Sequence, residues 1–246
     1  MRTDKGVVRE QNEDAVGGDP DTGLVILADG MGGANAGEVA SGLAVDLLVS
    51  QLVTDRRQAG DGDGIGRQDL LDAMQGVNQA ILELSQQIPE YLGMGTTLVV
   101  GVFGERRLIH AHVGDSRLYR LRSGLFEQLT IDHTLIQEMV NLGDFASIEQ
   151  ALLAGVPTNV LSRAFGSEAD VEVDLTETDT EPGDLYLFCS DGLTGMVTDQ
   201  EMQSILENQR LDLMQQADEL VDLACEMGGI DNVSVILVRV MPSDAK

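Results

Sequence analysis

The 246-residue chain is long enough for one large domain or two small ones, and its 43% hydrophobic content is ample for a packed core. Its formal net charge of −27, from 42 acidic and 15 basic residues, argues against nucleic acid or an anionic membrane as a partner, because little basic surface is available to displace counterions. The two cysteines are expected to be buried thiols of a cytoplasmic protein, since Cys189 lies in an apolar run and Cys225 in a helical pattern.

The chain opens with a polar segment that leads into a buried strand. This segment has no apolar signal region and ends with Arg9, Glu13 and Asp14, which by itself is typical of a solvated charged stretch. Residues 24–28 are wholly apolar and stop on Asp29 and a cluster of glycines. That pattern predicts a buried strand whose end presents a carboxylate to solvent and ligands.

Two amphipathic helices are predicted next. Apolar residues at helical spacing indicate one helix over 38–53 and a second over 70–88, ended by Pro89. The segment 54–67 between them is rich in Gly and Asp and is predicted to be a surface loop. Its stretch Asp61–Gly64 resembles the start of a calcium loop, but the third ligand position is apolar and no closing Glu follows, so we reject that site. No apolar run is expected to approach the ~18 residues needed to span a bilayer, and no membrane segment is expected.

Strand-like patterns replace the helical spacing from residue 96 onward. The runs 96–103, 107–113 and 117–122 are separated by turns short enough for antiparallel pairing. His110 and His112 alternate on one strand, and because no acidic residue stands beside them in the sequence, we expect a packed or surface role rather than a metal-ligand role.

The second half of the chain contains a helical insertion and two further strands. Residues 132–168 break the strand pattern with short helical pieces and are predicted to form a flap. An apolar strand over 184–189, helices over 199–207 and 211–227, and a strand over 231–238 follow. This order of elements indicates an α+β domain in which helices cover antiparallel sheets.

Three strand ends carry an aspartate each. Asp29 and Asp191 follow apolar runs, and Asp231 precedes one, so the three carboxylates are expected to converge. Convergent carboxylates repel one another unless a cation holds them together, and hard divalent ions prefer oxygen ligands. The sequence therefore favours a divalent metal site.

Six short motifs occur in a distinctive order, although each alone is ordinary turn chemistry. They are Arg9 with Glu13-Asp14, Asp29-Gly30-Met31-Gly32-Gly33, Gly95-Thr96-Thr97, Gly114-Asp115-Ser116-Arg117, Ser190-Asp191-Gly192, and Asp231-Asn232. With them, residues 3–240 resemble the bacterial metal-dependent protein serine/threonine phosphatases of the PPM (type 2C) family.

The resemblance implies a fold and an activity. The expected fold is a central antiparallel β-sandwich flanked by helices on both faces, a four-layer αββα arrangement, forming one catalytic domain over 1–246 with its flap at 132–168. The expected reaction is hydrolysis of phosphoserine and phosphothreonine by attack of a metal-bridging water, opposing serine/threonine kinases. Expected partners are phosphorylated proteins and a cognate kinase, and the chain is expected to act as a monomer.

The resemblance also implies the metal ligands. Asp29 is expected to bridge two Mn²⁺ or Mg²⁺ ions, with the Gly30 carbonyl on one of them and Asp191 and Asp231 completing the pair. Asp115, together with Asp191, matches the position that holds a weaker third ion.

Three further roles follow from the same resemblance. Glu13 and Asp14 match residues that act through metal-bound waters, and Arg9 matches the residue that grips the substrate phosphate with its planar fork. Met31 departs from the family, because many eukaryotic relatives have there a His proposed to protonate the leaving group. Metal-bound water or another residue must then supply that proton.

Other phosphatase chemistries lack their residues in this chain. Neither Cys189 nor Cys225 is followed by Arg six positions later, and no Asp-x-Asp-x-Thr motif is present. Two alternatives remain open, a catalytically dead scaffold and a purely structural cation site. The full set of aspartates argues against the first and Arg9 against the second.

Overall fold

The structure, a computed structural model, describes residues 1–32, 36–55 and 64–242 and consists of two antiparallel sheets with helices outside them. One sheet has the order β2 (Asp14–Asp19), β3 (Leu24–Met31), β5 (Leu98–Gly104), β6 (Arg107–Val113) and β9 (Asp174–Asp179), with β4 (Gly95–Thr96) paired to the end of β3. The other has the order β1 (Arg2–Asp4), β11 (Val233–Arg239), β10 (Leu185–Cys189), β7 (Arg117–Arg122) and β8 (Leu125–Gln128).

Seven α-helices lie in the described residues. They are α1 (Ala36–Val49), α2 (Arg67–Gln87), α3 (Leu135–Asn141), α4 (Ile148–Leu153), α5 (Asp191–Thr194), α6 (Asp199–Leu206) and α7 (Leu213–Glu226). A π-helical stretch, Ser50–Asp55, continues α1, and a 3-10 turn, Pro89–Tyr91, follows α2. The predicted helices are therefore present, within a few residues of their predicted ends.

The core is divided into three layers of apolar contact. Between the two sheets lie Val25 and Leu27 of β3, packed with Tyr186 and Phe188 of β10. The alternate residues of β3 face α1 and α2, and the outer face of the second sheet packs on α5, α6 and α7. Both faces of β3 and β10 are thus covered, which explains why these strands read as continuous apolar runs. The predicted α+β sandwich with helices on both faces is confirmed.

Four strands were not predicted from the sequence: β1, β2, β8 and β9. The opening segment is more than a solvated stretch, because β1 pairs with β11 and Asp14 begins β2. The sequence of β2 is rich in glycine, and β9 is an acidic, largely exposed edge strand. Neither composition favours a strand, and charge on an edge strand blocks further pairing.

The expected limit on the length of apolar runs is wrong, although this does not make the run a membrane segment. Residues Ala36–Thr54 form a helix that is long and apolar enough to cross a membrane by length and composition, with 50% of the tested stretch buried. In the fold, α1 is a core helix that packs on β2 and β3. The predicted loop is described only in part. Thr54 and Asp55 are still helical, and residues 61–63 of the rejected calcium motif lie outside the described residues.

The segment 132–168 connects β8 to the strand β9 through α3 and α4. Leu142 and Leu153 are 79% and 90% exposed, so this segment buries less apolar surface than the sheets do. It returns to the sandwich at Phe165, which is fully buried and forms a bridge with Thr96.

Candidate metal and phosphate site

A cavity of about 720 Å³ opens at one end of the sandwich. Its wall contains seven of the eight predicted site residues: Arg9, Glu13, Asp29, Gly30, Asp115, Asp191 and Asp231. The eighth, Asp14, lies beside it as the cross-strand partner of Asp29. The sequence motifs, although far apart along the chain, therefore meet at a single site.

The end of β3 holds Asp29 rigidly. Its N–H donates to the Thr97 hydroxyl at 3.1 Å, and its carbonyl accepts from the Thr97 N–H and the Thr96 hydroxyl, both at 2.9 Å. Gly30 follows, and its N–H donates to the Glu13 carbonyl at 3.1 Å. A Cβ on Gly30 would overlap the Gly37 carbonyl of α1, so only glycine fits at this position.

Asp191 and Asp231 converge because β10 and β11 are antiparallel neighbours. Asp191 begins α5 just after the end of β10, and Asp231 lies just before the start of β11. Gly192 allows close packing here, since a Cβ at this position would overlap the Asn232 carbonyl.

The carboxylates at the cavity repel one another. Burial, followed by the charges of Asp14 and Asp191, raises the pKa of Asp29 well above its usual value. Burial also raises the pKa of Asp14 to about 7 and that of Asp115 to about 7. Burial, followed by the charge of Asp231, raises the pKa of Asp191. A cation would relieve both the desolvation and the repulsion, so the donor set fits hard divalent ions.

One atom gives independent support for a cation. Asp14 accepts a hydrogen bond from the Ser190 hydroxyl at 2.8 Å through Oδ2. Its Oδ1 is buried and has no hydrogen-bond partner in the described part of the chain. Such an orphaned acceptor is costly unless a ligand or water satisfies it.

Arg9 lies at the mouth of the cavity. Its Nη2 is 2.6 Å from Asp231 Oδ2, and its side chain is 48% exposed. This hydrogen bond raises the pKa of Arg9 above its usual value. Burial raises the pKa of the neighbouring Glu13. Arg9 is thus bound to a predicted metal ligand, while its half-exposed guanidinium can still meet an anion.

The comparison with known proteins identifies the family of the chain. A family model described as protein phosphatase 2C matches residues 7–225. The chain belongs to this family.

Similar proteins cover nearly the whole chain. A relative named serine/threonine phosphatase stp from Listeria monocytogenes is 39% identical over 97% of this chain and 94% of its own length. A crystal structure of the Mycobacterium tuberculosis phosphatase PstP/Ppp is 36% identical, covers 98% of this chain and 97% of that one, and superposes with a TM-score of 0.85. The catalytic domain of PstP in complex with two manganese ions, also 36% identical, covers 98% of this chain and 96% of that one with a TM-score of 0.83.

This protein phosphatase 2C chain contains a second group of metal-binding residue types. The ligand atoms of His112, His133 and Asp174 lie within 4.8 Å of one another, and the two imidazoles stack with centroids 4.6 Å apart. Asp174 is opposite His112 in the pairing of β6 with β9, so the fold places an acidic residue beside this histidine that is absent beside it in the sequence. No local pattern signals this contact, because His112 and Asp174 are far apart in the chain.

These groups already have hydrogen-bond partners. His112 Nε2 lies 2.8 Å from the Ile131 carbonyl, and His133 Nδ1 accepts from the Gly114 N–H at 3.2 Å. Arg163 donates to Asp174 at 3.0 Å. The side chains of this cluster are therefore already engaged by other groups of the protein.

Met31 lies in the cavity wall. A Cβ on Gly95 would approach its Cε to 2.8 Å, so the methionine packs closely over this glycine. Three residues of the sequence motifs that had no assigned role support the phosphatase 2C site. The side chains of Thr97, Ser190 and Asn232 each form a hydrogen bond with a site residue.

Proposed function

We propose that this protein phosphatase 2C hydrolyses phosphoserine and phosphothreonine in proteins, and that the cavity around Asp29 is its catalytic centre. One observation carries the assignment: Asp29, Asp115, Asp191 and Asp231 surround one cavity whose mouth is lined by Arg9. Relatives of 38–39% identity named serine/threonine phosphatases support the substrate class.

The chain depends on Mn²⁺ or Mg²⁺, as its family and the two manganese ions of PstP indicate. We assign Asp29, the Gly30 carbonyl, Asp191 and Asp231 to the two core ions. Asp115, with Asp191, is assigned to a weaker third ion. When bound, such ions activate a water for attack and offset the charge of the phosphoryl oxygens.

The chain's own side chains bind and orient the substrate. Arg9 has a planar fork whose donors can bind two phosphate oxygens, an arrangement that Lys cannot reproduce. Glu13 and Asp14 would accept hydrogen bonds from waters bound to the ions. The backbone contacts of Asp29 keep its carboxylate in place, so little reorganisation is needed when the phosphate arrives.

The proton for the leaving oxygen must come from a group other than Met31. A thioether has no proton to donate, so the proton comes from a water in the cavity or from another side chain. This is the step at which the chain departs from relatives that have His at the same position.

The substrates are proposed to be phosphorylated proteins, including those of a cognate serine/threonine kinase, with the reaction in the cytoplasm. We propose that 1–246 is one catalytic domain that acts as a monomer. Its flap, 132–168, lies beside the cavity, because the stretch 159–164 contributes to the cavity wall. Through this wall the flap is positioned to contact the protein around the phosphorylated residue.

A phosphothreonine peptide assay tests the proposal. We expect phosphate release with added Mn²⁺, none in excess EDTA, and a loss of most activity in Asp29→Asn, because an amide supplies neither the charge nor the geometry of the carboxylate. Asp184→Asn is the control, since Asp184 is buried and pairs with Arg122 outside the cavity. Full turnover in EDTA, or inactive protein in Mn²⁺, would contradict the proposal.

A further inference from the structure

The segment that carries Arg9 has no regular secondary structure between Lys5 and Glu13. Apolar burial does not hold it in place, since Val7 and Val8 are 68% and 64% exposed. Irregular backbone near a site keeps one conformation only if its polar groups have fixed partners. The position of Arg9 therefore depends on the hydrogen bonds of this loop.

Both ends of the loop are bound by one side chain. Asn232 Nδ2 donates to the Lys5 carbonyl at 3.0 Å and to the Gln11 carbonyl at 2.8 Å. Asn232 Oδ1 accepts from the Glu13 N–H at 2.8 Å. Asn232 is 4% exposed, so water does not readily replace these bonds.

A second attachment of the loop is Gly229, which lies three residues before Asn232 in the segment that leads into β11. The N–H groups of Val7 and Val8 both donate to the Gly229 carbonyl, at 2.8 and 3.2 Å. Gly6 lies so close to the Asp231 carbonyl that a Cβ there would overlap it. The stretch 229–232 thus carries a predicted metal ligand and the attachment points of the Arg9 loop.

We propose that Asn232 is a positioning residue that holds Arg9 at the distance from the metal ligands at which it meets the substrate phosphate. This inference rests on the proposed phosphate-binding role of Arg9. An amide is required because the side chain must donate twice and accept once. Aspartate has no donor, and alanine removes the partner of the Lys5 and Gln11 carbonyls and of the Glu13 N–H.

The side chain of Asn232 should affect phosphate binding and leave metal binding nearly unchanged. The backbone N–H of Asn232 donates to Asp231 Oδ1 at 2.8 Å, and this bond does not involve the amide side chain. Removal of the side chain should therefore leave Asp231 oriented for the ion while the loop moves away. The expected effect is weaker phosphate binding with nearly unchanged Mn²⁺ affinity.

Four variants test this role in the Mn²⁺-loaded protein: Asn232→Ala, Asn232→Asp, Arg9→Ala and the double variant Arg9→Ala/Asn232→Ala. The probe is inorganic phosphate, measured as a competitive inhibitor of phosphopeptide hydrolysis. We expect Asn232→Ala and Arg9→Ala each to raise its inhibition constant by about tenfold, the scale of one charge-assisted contact. Because both act through the same guanidinium, the double variant should be weakened little further.

The control is Gln216→Ala. Gln216 is fully buried, and its Nε2 donates to three carbonyls, those of Ile205, Leu206 and Asn208, at a position outside the cavity wall. We expect Gln216→Ala to lower the melting temperature without changing the inhibition constant. Amide hydrogen exchange at Val7 and Val8 should accelerate in both Asn232 variants and not in Gln216→Ala.

Each result decides between two explanations. A normal inhibition constant in Asn232→Ala, with a weakened one in Arg9→Ala, would overturn the inference and leave the role of Arg9 intact. An unchanged inhibition constant of phosphate in Arg9→Ala would overturn both the phosphate-binding role of Arg9 and the positioning role of Asn232. Additive effects in the double variant, or loss of Mn²⁺ binding in Asn232→Ala by calorimetry, would show that Asn232 acts by another route and would also overturn the inference.

Discussion

Replacement of His110 should change how the stability of the protein depends on pH. His110 lies on β6, opposite Gly101 and Thr176, and is 2% exposed. Neither ring nitrogen has a hydrogen-bond partner among the described residues. Burial, with a smaller contribution from His112, lowers the pKa of His110 from its usual 6.5 to about 4.

The direction of the effect follows from these two values. Above the unfolded pKa the imidazole is neutral in both states and contributes no pH dependence. As the pH falls below about 6.5, His110 binds a proton in the unfolded chain, whereas in the folded chain it binds one only near pH 4. The free energy of unfolding should thus fall by about 2 kcal/mol at pH 5 and about 3 kcal/mol at pH 4 through this residue alone.

His110→Leu removes the titrating group and keeps a similar volume. We would measure urea unfolding of both proteins in EDTA at pH 7, 6 and 5, so that metal binding does not contribute. The variant should become more stable relative to the wild type by about 2 kcal/mol between pH 7 and 5, equivalent to about 4–8 °C in melting temperature.

The difference between the two proteins isolates His110, because the carboxylates of the cavity titrate in both. Leu108→Met, an apolar exchange on the same strand, is the control and should differ from the wild type by a constant amount across the pH range. Parallel stability curves for wild type and His110→Leu would refute the reasoning, since they would mean that His110 accepts its proton in the folded protein.

Three further results are expected at the site. Asp115→Ala should keep the two core ions yet turn over substantially more slowly, and calorimetry that shows loss of all metal would contradict the assignment of this residue. For aryl phosphates, the rate of hydrolysis should depend steeply on the pKa of the leaving group, and Met31→His should make that dependence shallower. A shallow dependence in the wild type would contradict the inference that the site lacks a general acid at residue 31. The amide hydrogens of the segment 132–168 should exchange with solvent faster than those of β10. Replacement of this segment by that of a relative should alter the selectivity for peptides. Equal protection from exchange together with unchanged selectivity would contradict the flap prediction.

Much of the fold could be predicted from the sequence. The strands β3, β10 and β11 are apolar on both faces or nearly so, and the periodicity of α1, α2 and α7 marks one buried side. These signals are local, since each depends on neighbours within a few residues. The aspartates at strand ends were visible for the same reason, because a charge that interrupts an apolar run stands out in the sequence.

The strands with weak composition needed the tertiary structure. The glycines of β2 and the acidic residues of β9 do not favour strands, and both elements exist because a neighbouring strand supplies their backbone partners. The direct pairing of Asp14 with Asp29 follows from this register and could not be read from the polar opening segment alone.

Hydrogen bonds between distant residues also required the fold. Arg9 meets Asp231 across 222 positions, and Asn232 reaches Gln11 across 221. The amide of an asparagine looks the same in a sequence whether it lies in a turn or binds a distant loop. Sequence by itself determined the apolar periodicity and the types of residue available for chemistry. The packing of β11 between β1 and β10 determined which of them touch, because a side-chain hydrogen bond depends on distance in space and leaves no periodic trace along the chain.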